Sequence, residues 1–338
     1  MKVKKITLKQ VTNFLSNNTV IAFIACIILF NLILGTIGGG HIFYSKCLSI
    51  LIDGASWRFL VALGMFCCLI IKGVDLSAGR LIGLSACITG ALLQSTDYED
   101  KVFPKLGEIP IIVVFLLVIG IATFFGFING VVISYLKVPP FIATLSMQVI
   151  IYGICLVFTG GNSIGGLSNK YLKTNSLIIG DIAIAGWRSI IALVLGFIIW
   201  FIYNKTKYGK NIYLISRNEN TAKMGGINTK WYKIALYATA GLLYGVVGFL
   251  LVLRSGGAAV DTGQGYELTA IAGCAIGGVS VNGGKGKISG VFLGVIAYAL
   301  LGIVIETQNI APSYEYVVLG LVIIVAVAID IRKNEAKK

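Results

Sequence analysis

The chain has 338 residues, 57% of them hydrophobic and 12% charged, with a formal net charge of +14 and a mean hydropathy of +0.90. Water-soluble domains carry about 25% charged residues, so this composition excludes a soluble globular protein and describes an all-α polytopic membrane protein. The positive excess does not point to nucleic acid, because the basic residues sit at the ends of apolar runs, where topology accounts for them; the seven cysteines show no CxxC spacing, so neither a disulfide framework nor a zinc site is implied.

In chain order, Lys2, Lys4, Lys5 and Lys9 precede an apolar run that continues to Ile37 without an A-x-A-like cleavage site, which predicts an uncleaved first span. A span needs about 20 apolar residues. Candidate spans are Val20–Ile37, Trp57–Ile71, Ala78–Gln94, Ile109–Leu136, Pro140–Phe158, Ser189–Tyr203, Ile234–Leu253, Tyr266–Val281, Ile288–Ile305 and Tyr314–Ile331. Tyr266–Val281 is short enough to be re-entrant or broken. Alternating the ten spans from a cytoplasmic N-terminus puts Lys72, Arg80, Lys137, Lys285, Lys287 and both basic termini inside, and most acids outside. The positive-inside rule therefore predicts six spans, a cytoplasmic loop, then four more, with both termini cytoplasmic.

That loop, residues 205-233, is the longest polar interruption. Lys205, Lys207, Lys210, Arg217, Lys223, Lys230 and Lys233 stand in it against a single acid, Glu219. Within it, Asn218 or Asn220 can cap a short helix and Gly225-Gly226 can end it. Such a knuckle in the cytosol offers a grip to a partner, or is a solvated basic loop.

Glycines recur inside spans. The spacings Gly126-x-x-x-Gly130 and Gly241-x-x-x-Gly245 permit close helix approach. Asp75-Leu76-Ser77-Ala78, opening the third span, is echoed by Glu267-Leu268-Thr269-Ala270, opening the eighth. An offset of five spans inverts the topology, as in an inverted repeat.

Few residues suggest chemistry. His41 has no carboxylate partner in view, and no metal-ligand cluster or catalytic set is found. Gly278–Gly286 and Tyr208-Gly209-Lys210-Asn211 look like phosphate loops but lack the spacing or the hydroxyl of a Walker A motif, so any ATP and Mg belong on another subunit. Glu306, Glu315 and Asp330 fall at span ends, and Asp75 and Arg80 flank a turn; the lack of a mid-span acid argues against ion coupling. Neutral polar residues do fall within spans. Gln94, Asn129, Thr144, Gln148 and Tyr152 either hydrogen-bond neighbouring helices or line a path for a hydroxylated solute.

Several segments together carry a resemblance: Gly73-Val74-Asp75-Leu76-Ser77-Ala78-Gly79-Arg80, Gly126-Phe127-Ile128-Asn129-Gly130, Pro140-Phe141-Ile142-Ala143-Thr144-Leu145, Thr206–Asn211, Asn218–Ile227, and Tyr266–Ala272 with Gly277-Gly278-Val279-Ser280 and Gly283-Gly284. In this order, over nearly the whole chain, they resemble the membrane-spanning permease subunits of bacterial ABC importers for monosaccharides, the ribose–galactose–arabinose–xylose class. Asp75–Arg80, with Leu92–Ser95 and Lys101–Pro104, look most like its galactose/methyl-galactoside type, which implies galactose, a methyl galactoside or glucose as solute. The resemblance implies a single permease domain over 1-338 in the bacterial inner membrane. It also implies a second permease copy, a cytosolic ATP-binding subunit and a periplasmic or lipid-anchored sugar-binding protein. Asn218, Glu219, Asn220, Ala222, Lys223, Gly225, Gly226 and Ile227 match its ATPase-docking segment, and Asp75, Ser77 and Gly79 its family motif. Thr221, Met224 and a short Gly160–Lys173 loop depart from the pattern and leave open ribose, another pentose or a nucleoside as solute. An ion-coupled secondary transporter is the alternative of another class.

Overall fold

The structure is a computed structural model that describes residues 45–172, 177–179, 182–184, 186–307, 311 and 313–335. The expected first span Val20–Ile37, His41 and the basic N-terminal tail lie outside the described residues. The described chain is helical apart from one hairpin, β1 (Leu177–Ile179) paired antiparallel with β2 (Ile182–Ile184). The helices are α1 (Ser45–Leu69), α2 (Ala78–Leu92), α3 (Ile111–Ser134), α4 (Pro140–Thr159), α5 (Asn169–Leu172), α6 (Trp187–Lys205), α7 (Lys207–Arg217), α8 (Glu219–Met224), α9 (Thr229–Ser255), α10 (Tyr266–Ile276), α11 (Ile288–Thr307) and α12 (Ser313–Glu335). Among the described residues six helical stretches are long and apolar enough to cross a membrane, and α2, α10 and part of α12 are shorter apolar helices.

Local sequence sets the ends. Pro139-Pro140 opens α4, where a proline at the first turn forfeits no helical hydrogen bond, and Gly160 at φ +61° closes it in the left-handed region. Asn228 accepts a hydrogen bond from Trp231 N (3.2 Å) to start α9, which runs 27 residues to Gly256.

The bundle is built around α9. In its most apolar stretch 78% of residues are buried, against 22% in α3 and 28% in α4, which turn most of their surface outward. A row of glycines sets the α3–α9 contact. A Cβ on Gly241 would strike the Ala122 carbonyl and sit 3.2 Å from the Gly126 Cα, and one on Gly130 would sit 2.6 Å from the Ile234 Cα. The two backbones thus touch, as the small-residue spacing predicts. At the end of α9 away from residues 205-233, Asp53 of α1 pairs with Arg188 of α6 (2.5 Å) and Arg254 of α9 (3.4 Å), tying three helices.

The expected eighth span is broken. Between α9 and α10, residues 257–265 run beside α2 without helical hydrogen bonding, and α10 has only 11 residues. At 1.5 Å per residue it is roughly 16 Å long, half the hydrocarbon thickness. The two echoed motifs meet here: a Cβ on Gly79 would touch the Glu267 carboxylate and the Gly263 carbonyl. The starts of α2 and α10 therefore lie side by side, and the helices run away from each other. Tyr266, first in α10, stacks on Trp57 of α1 (4.4 Å).

Candidate functional site

Two regions concentrate polar side chains. The first is the knuckle at residues 205-233. Thr206 caps α7 by accepting from Gly209 N (3.3 Å), and Asn218 caps α8 through Asn220 N (3.0 Å) and Thr221 N (3.1 Å). Ala222 turns inward, and its carbonyl accepts from Ile227 N (3.1 Å) across the Gly225-Gly226 turn. Asn220, Lys223, Met224, Gly225 and Gly226 face out, beside a groove of about 790 Å³ lined by Leu214, Arg217, Thr221, Ile227 and Tyr232 among others.

The sole acid holds this knuckle to the bundle. Glu219 accepts from Lys233 (2.8 Å) and Thr229 Oγ1 (3.1 Å), both on α9, and pairs with Lys223 (3.0 Å) on its own helix. Burial on its own would raise its pKa. The hydrogen bonds from Lys233 and Lys223, with their charges, outweigh that and hold it down at about 2. Tyr213 of α7 donates to the Gly286 carbonyl (3.1 Å), and Gly284 N donates to the Ile70 carbonyl (3.1 Å) at the end of α1. The knuckle is thus bonded to α9 and, through the 280–286 turn, to α1.

The second region lies within the bundle. Of the five neutral polar candidates, Gln94, Asn129 and Thr144 are buried in hydrogen bonds. Gln94 joins Gly165 O (2.9 Å) and Val102 N (2.9 Å) at the ends of the helices, outside the apolar region. Asn129 and Thr144 belong to a knot around the family motif. Asp75, fully buried, accepts from Ser77 N (3.0 Å) and Ser77 Oγ (2.5 Å), and that hydroxyl accepts from Asn129 Nδ2 (3.0 Å). Thr144 accepts from Leu76 N (3.1 Å) and lies 3.1 Å from the Val74 carbonyl. The connector between α1 and α2 is thereby fastened to α3 and α4. Gly79 marks the close approach to the broken crossing.

Gln148 and Tyr152, by contrast, are partly accessible on α4. Next to Tyr152, within 4.3 Å of its ring, stands the Arg80 guanidinium, and beyond it Asp261 and Gln264 are exposed on the broken crossing. Sequence reasoning missed Asp261 and Gln264. It placed them in an outer loop, and the available signal was the cluster Gly256, Gly257, Gly263 and Gly265, which interrupts an otherwise apolar run. Asp75, expected beside a turn, is fully buried, and Glu267, at the start of α10, is nearly so.

Comparison with known proteins agrees with this architecture. The profile described as "Branched-chain amino acid transport system / permease component" matches residues 46–327. The chain is 39% identical over 289 residues to the galactose/methyl galactoside import permease of Haemophilus influenzae, covering 84% of this chain and 86% of that one. It is 38% identical to the Escherichia coli protein of the same description (86% and 88% covered), and 34% identical to the ribose import permease of Bacillus subtilis (81% and 81%). No solved structure matches. A profile match across most of the chain, and helices that cross the membrane repeatedly, make this protein a multi-pass member of that permease family.

Proposed function

We propose that the chain is the membrane-spanning permease of an ATP-driven, binding-protein-dependent importer, and that its solute is galactose or a methyl galactoside. It works as two copies, with a cytosolic ATPase docked on the knuckle and a sugar-binding protein delivering solute on the opposite face. ATP and Mg reside on the ATPase subunit. The observation that carries the reading is the bonding of Glu219 to Lys233 and Thr229, because it connects an exposed helical knuckle to the helix whose apolar stretch is the most buried of the six candidate spans. A push on α8 reaches α9 through these bonds. The far end of α9 leads directly into the broken crossing, so the displacement arrives at mid-membrane, where the conduit must open alternately to each side. The match to galactose/methyl galactoside permeases supports the solute, and the match to a ribose permease supplies the nearest competitor.

Uptake of labelled galactose by cells bearing the full importer tests this. The reading requires uptake that ends when the ATPase subunit is deleted and that excess methyl galactoside competes away. Competition by ribose alone would move the solute to the pentose. Uptake that persists without the ATPase would favour an ion-coupled carrier.

A further inference from the structure

Backbone that is neither helix nor strand persists at hydrocarbon depth only where protein buries it or water reaches it. Residues 257–265 form such a segment. Its start is pinned by reciprocal hydrogen bonds between Ala258 and Ile164 (2.7 and 2.9 Å). It then descends along α2: Cys87 Sγ lies 3.5 Å from the Ala259 carbonyl, and Arg80 donates to the Val260 carbonyl (3.1 Å). The carbonyls of Val260 and Thr262 face Gly83. Gly83 is nine residues before the end of α2, or roughly 13 Å along its axis. With a hydrocarbon core of about 30 Å, Asp261 sits close to mid-membrane.

At that depth Asp261 and Gln264 are exposed, and the Asp261 carboxylate has no hydrogen bond or ion pair with any described residue. Arg80 is already engaged by the Val260 carbonyl and the Tyr152 ring. A bare carboxylate against lipid would cost several kcal/mol, and acids at such depth face a partner or water. Among the described residues Asp261 has no hydrogen-bond or ion-pair partner and is exposed, so this face borders water.

We propose that Asp261 and Gln264, with Tyr152 held beside them by Arg80 and Gln148 one helical turn from Tyr152, are the solute-contacting residues of the conduit, and that they take a neutral polyhydroxylated solute of hexose size. The inference rests on the permease reading above and adds the residues that meet the cargo. Carboxylate and amide oxygens accept from sugar hydroxyls, and the amide of Gln148 can donate in return. The unneutralised Asp261 repels acidic sugars. The small number of contacts keeps the grip weak, as passage requires. Sugar hydroxyls thus replace, for a moment, the water that otherwise solvates the carboxylate.

The test uses the whole importer in liposomes and a membrane-impermeant methanethiosulfonate reagent, with the unaltered chain as blank. Asp261→Cys should be labelled like Asp97→Cys on the exposed loop. Phe124→Cys, exposed on the lipid-facing side of α3, should not, and excess galactose should slow labelling of Asp261→Cys alone. An unreactive Asp261→Cys, or one indifferent to galactose in an importer whose unaltered form moves galactose, overturns the proposal. Independently, Asp261→Asn should lower galactose uptake about tenfold, as expected for losing a hydrogen bond to a charged group, with binding-protein-stimulated ATP hydrolysis retained. Unchanged uptake overturns the proposal. Failure of the unaltered importer to move galactose, with Asp261→Cys still labelled, strikes the choice of sugar and not the site.

Discussion

The knuckle and the broken crossing both expose charge, and they treat it in opposite ways. In the knuckle the one acid, Glu219, is bonded to Lys223, Lys233 and Thr229, so its charge is spent on fixing one helix to another. In the broken crossing Asp261 is exposed and has no hydrogen bond or ion pair among the described residues. A charge neutralised within the chain determines geometry and can transmit force. A charge left unpaired is available to a ligand that comes and goes. The contrast fits the roles proposed above, coupling for the first region and cargo for the second.

The harshest way to break the contrast is to remove the post on which both regions stand. Gly241→Leu drives a side chain into the Ala122 carbonyl, and overpacking against backbone costs about 3 kcal/mol or more. Immunoblots of membranes should show no assembled protein, whereas Gly153→Leu, which meets nothing within 4 Å, should assemble normally. Equal levels of the two would remove the tight α3–α9 contact from the account.

Glu219→Lys should abolish uptake while leaving the protein in the membrane and the sugar-binding protein's affinity intact. Combining it with Lys233→Glu should restore much of the uptake, because the exchanged pair rebuilds the bond between knuckle and α9. A double variant as inactive as the single one would show that Glu219 does something other than hold α9.

Thr144→Val sharpens the comparison from the other side. It strips Leu76 N and Val74 O of their partner in a buried site, a loss of about 1–3 kcal/mol. Thermal unfolding in detergent should register it, with uptake per folded molecule unchanged. Asn218→Ala removes the α8 cap and should cost about 1 kcal/mol, seen as earlier proteolysis of the knuckle and a modest fall in uptake.

The smallest effect is with pH. The folded pKa of Glu219 lies below its ordinary value of 4.5, so its contribution is complete above that value and is lost only as pH falls toward about 2. Changing the cytoplasmic-side pH from 8 to 6 should therefore leave coupling through this residue constant. A decline present in the unaltered chain and absent in Glu219→Gln would contradict the assignment.

The sequence makes these regions unequally legible. Seven basic residues in an apolar chain announce the knuckle, and its caps and terminal glycines can be read residue by residue. Small-residue spacing announced close helix approach at Gly126–Gly130 and Gly241–Gly245, though not that the two stretches meet each other. The partner of Glu219 could not be read, since Lys233 is 14 positions away and any of the basic residues could have served. The broken crossing was half visible: the short run Tyr266–Val281 signalled a defect, but periodicity cannot show that residues 257–265 descend into the membrane beside α2. Asn129 and Thr144 were ambiguous for a related reason. A polar residue within a span looks the same whether it bonds Ser77 and Leu76, as these do, or stays exposed, as Tyr152 does.

The central claim is that this bundle has no engine of its own and is moved through the knuckle. The direct measurement is solute accumulation in liposomes holding the purified permease, with a proton or sodium gradient imposed, compared with liposomes holding the permease, its ATPase partner, binding protein and ATP. The account predicts uphill galactose transport only in the second set. Accumulation by the permease alone on either ion gradient would contradict it.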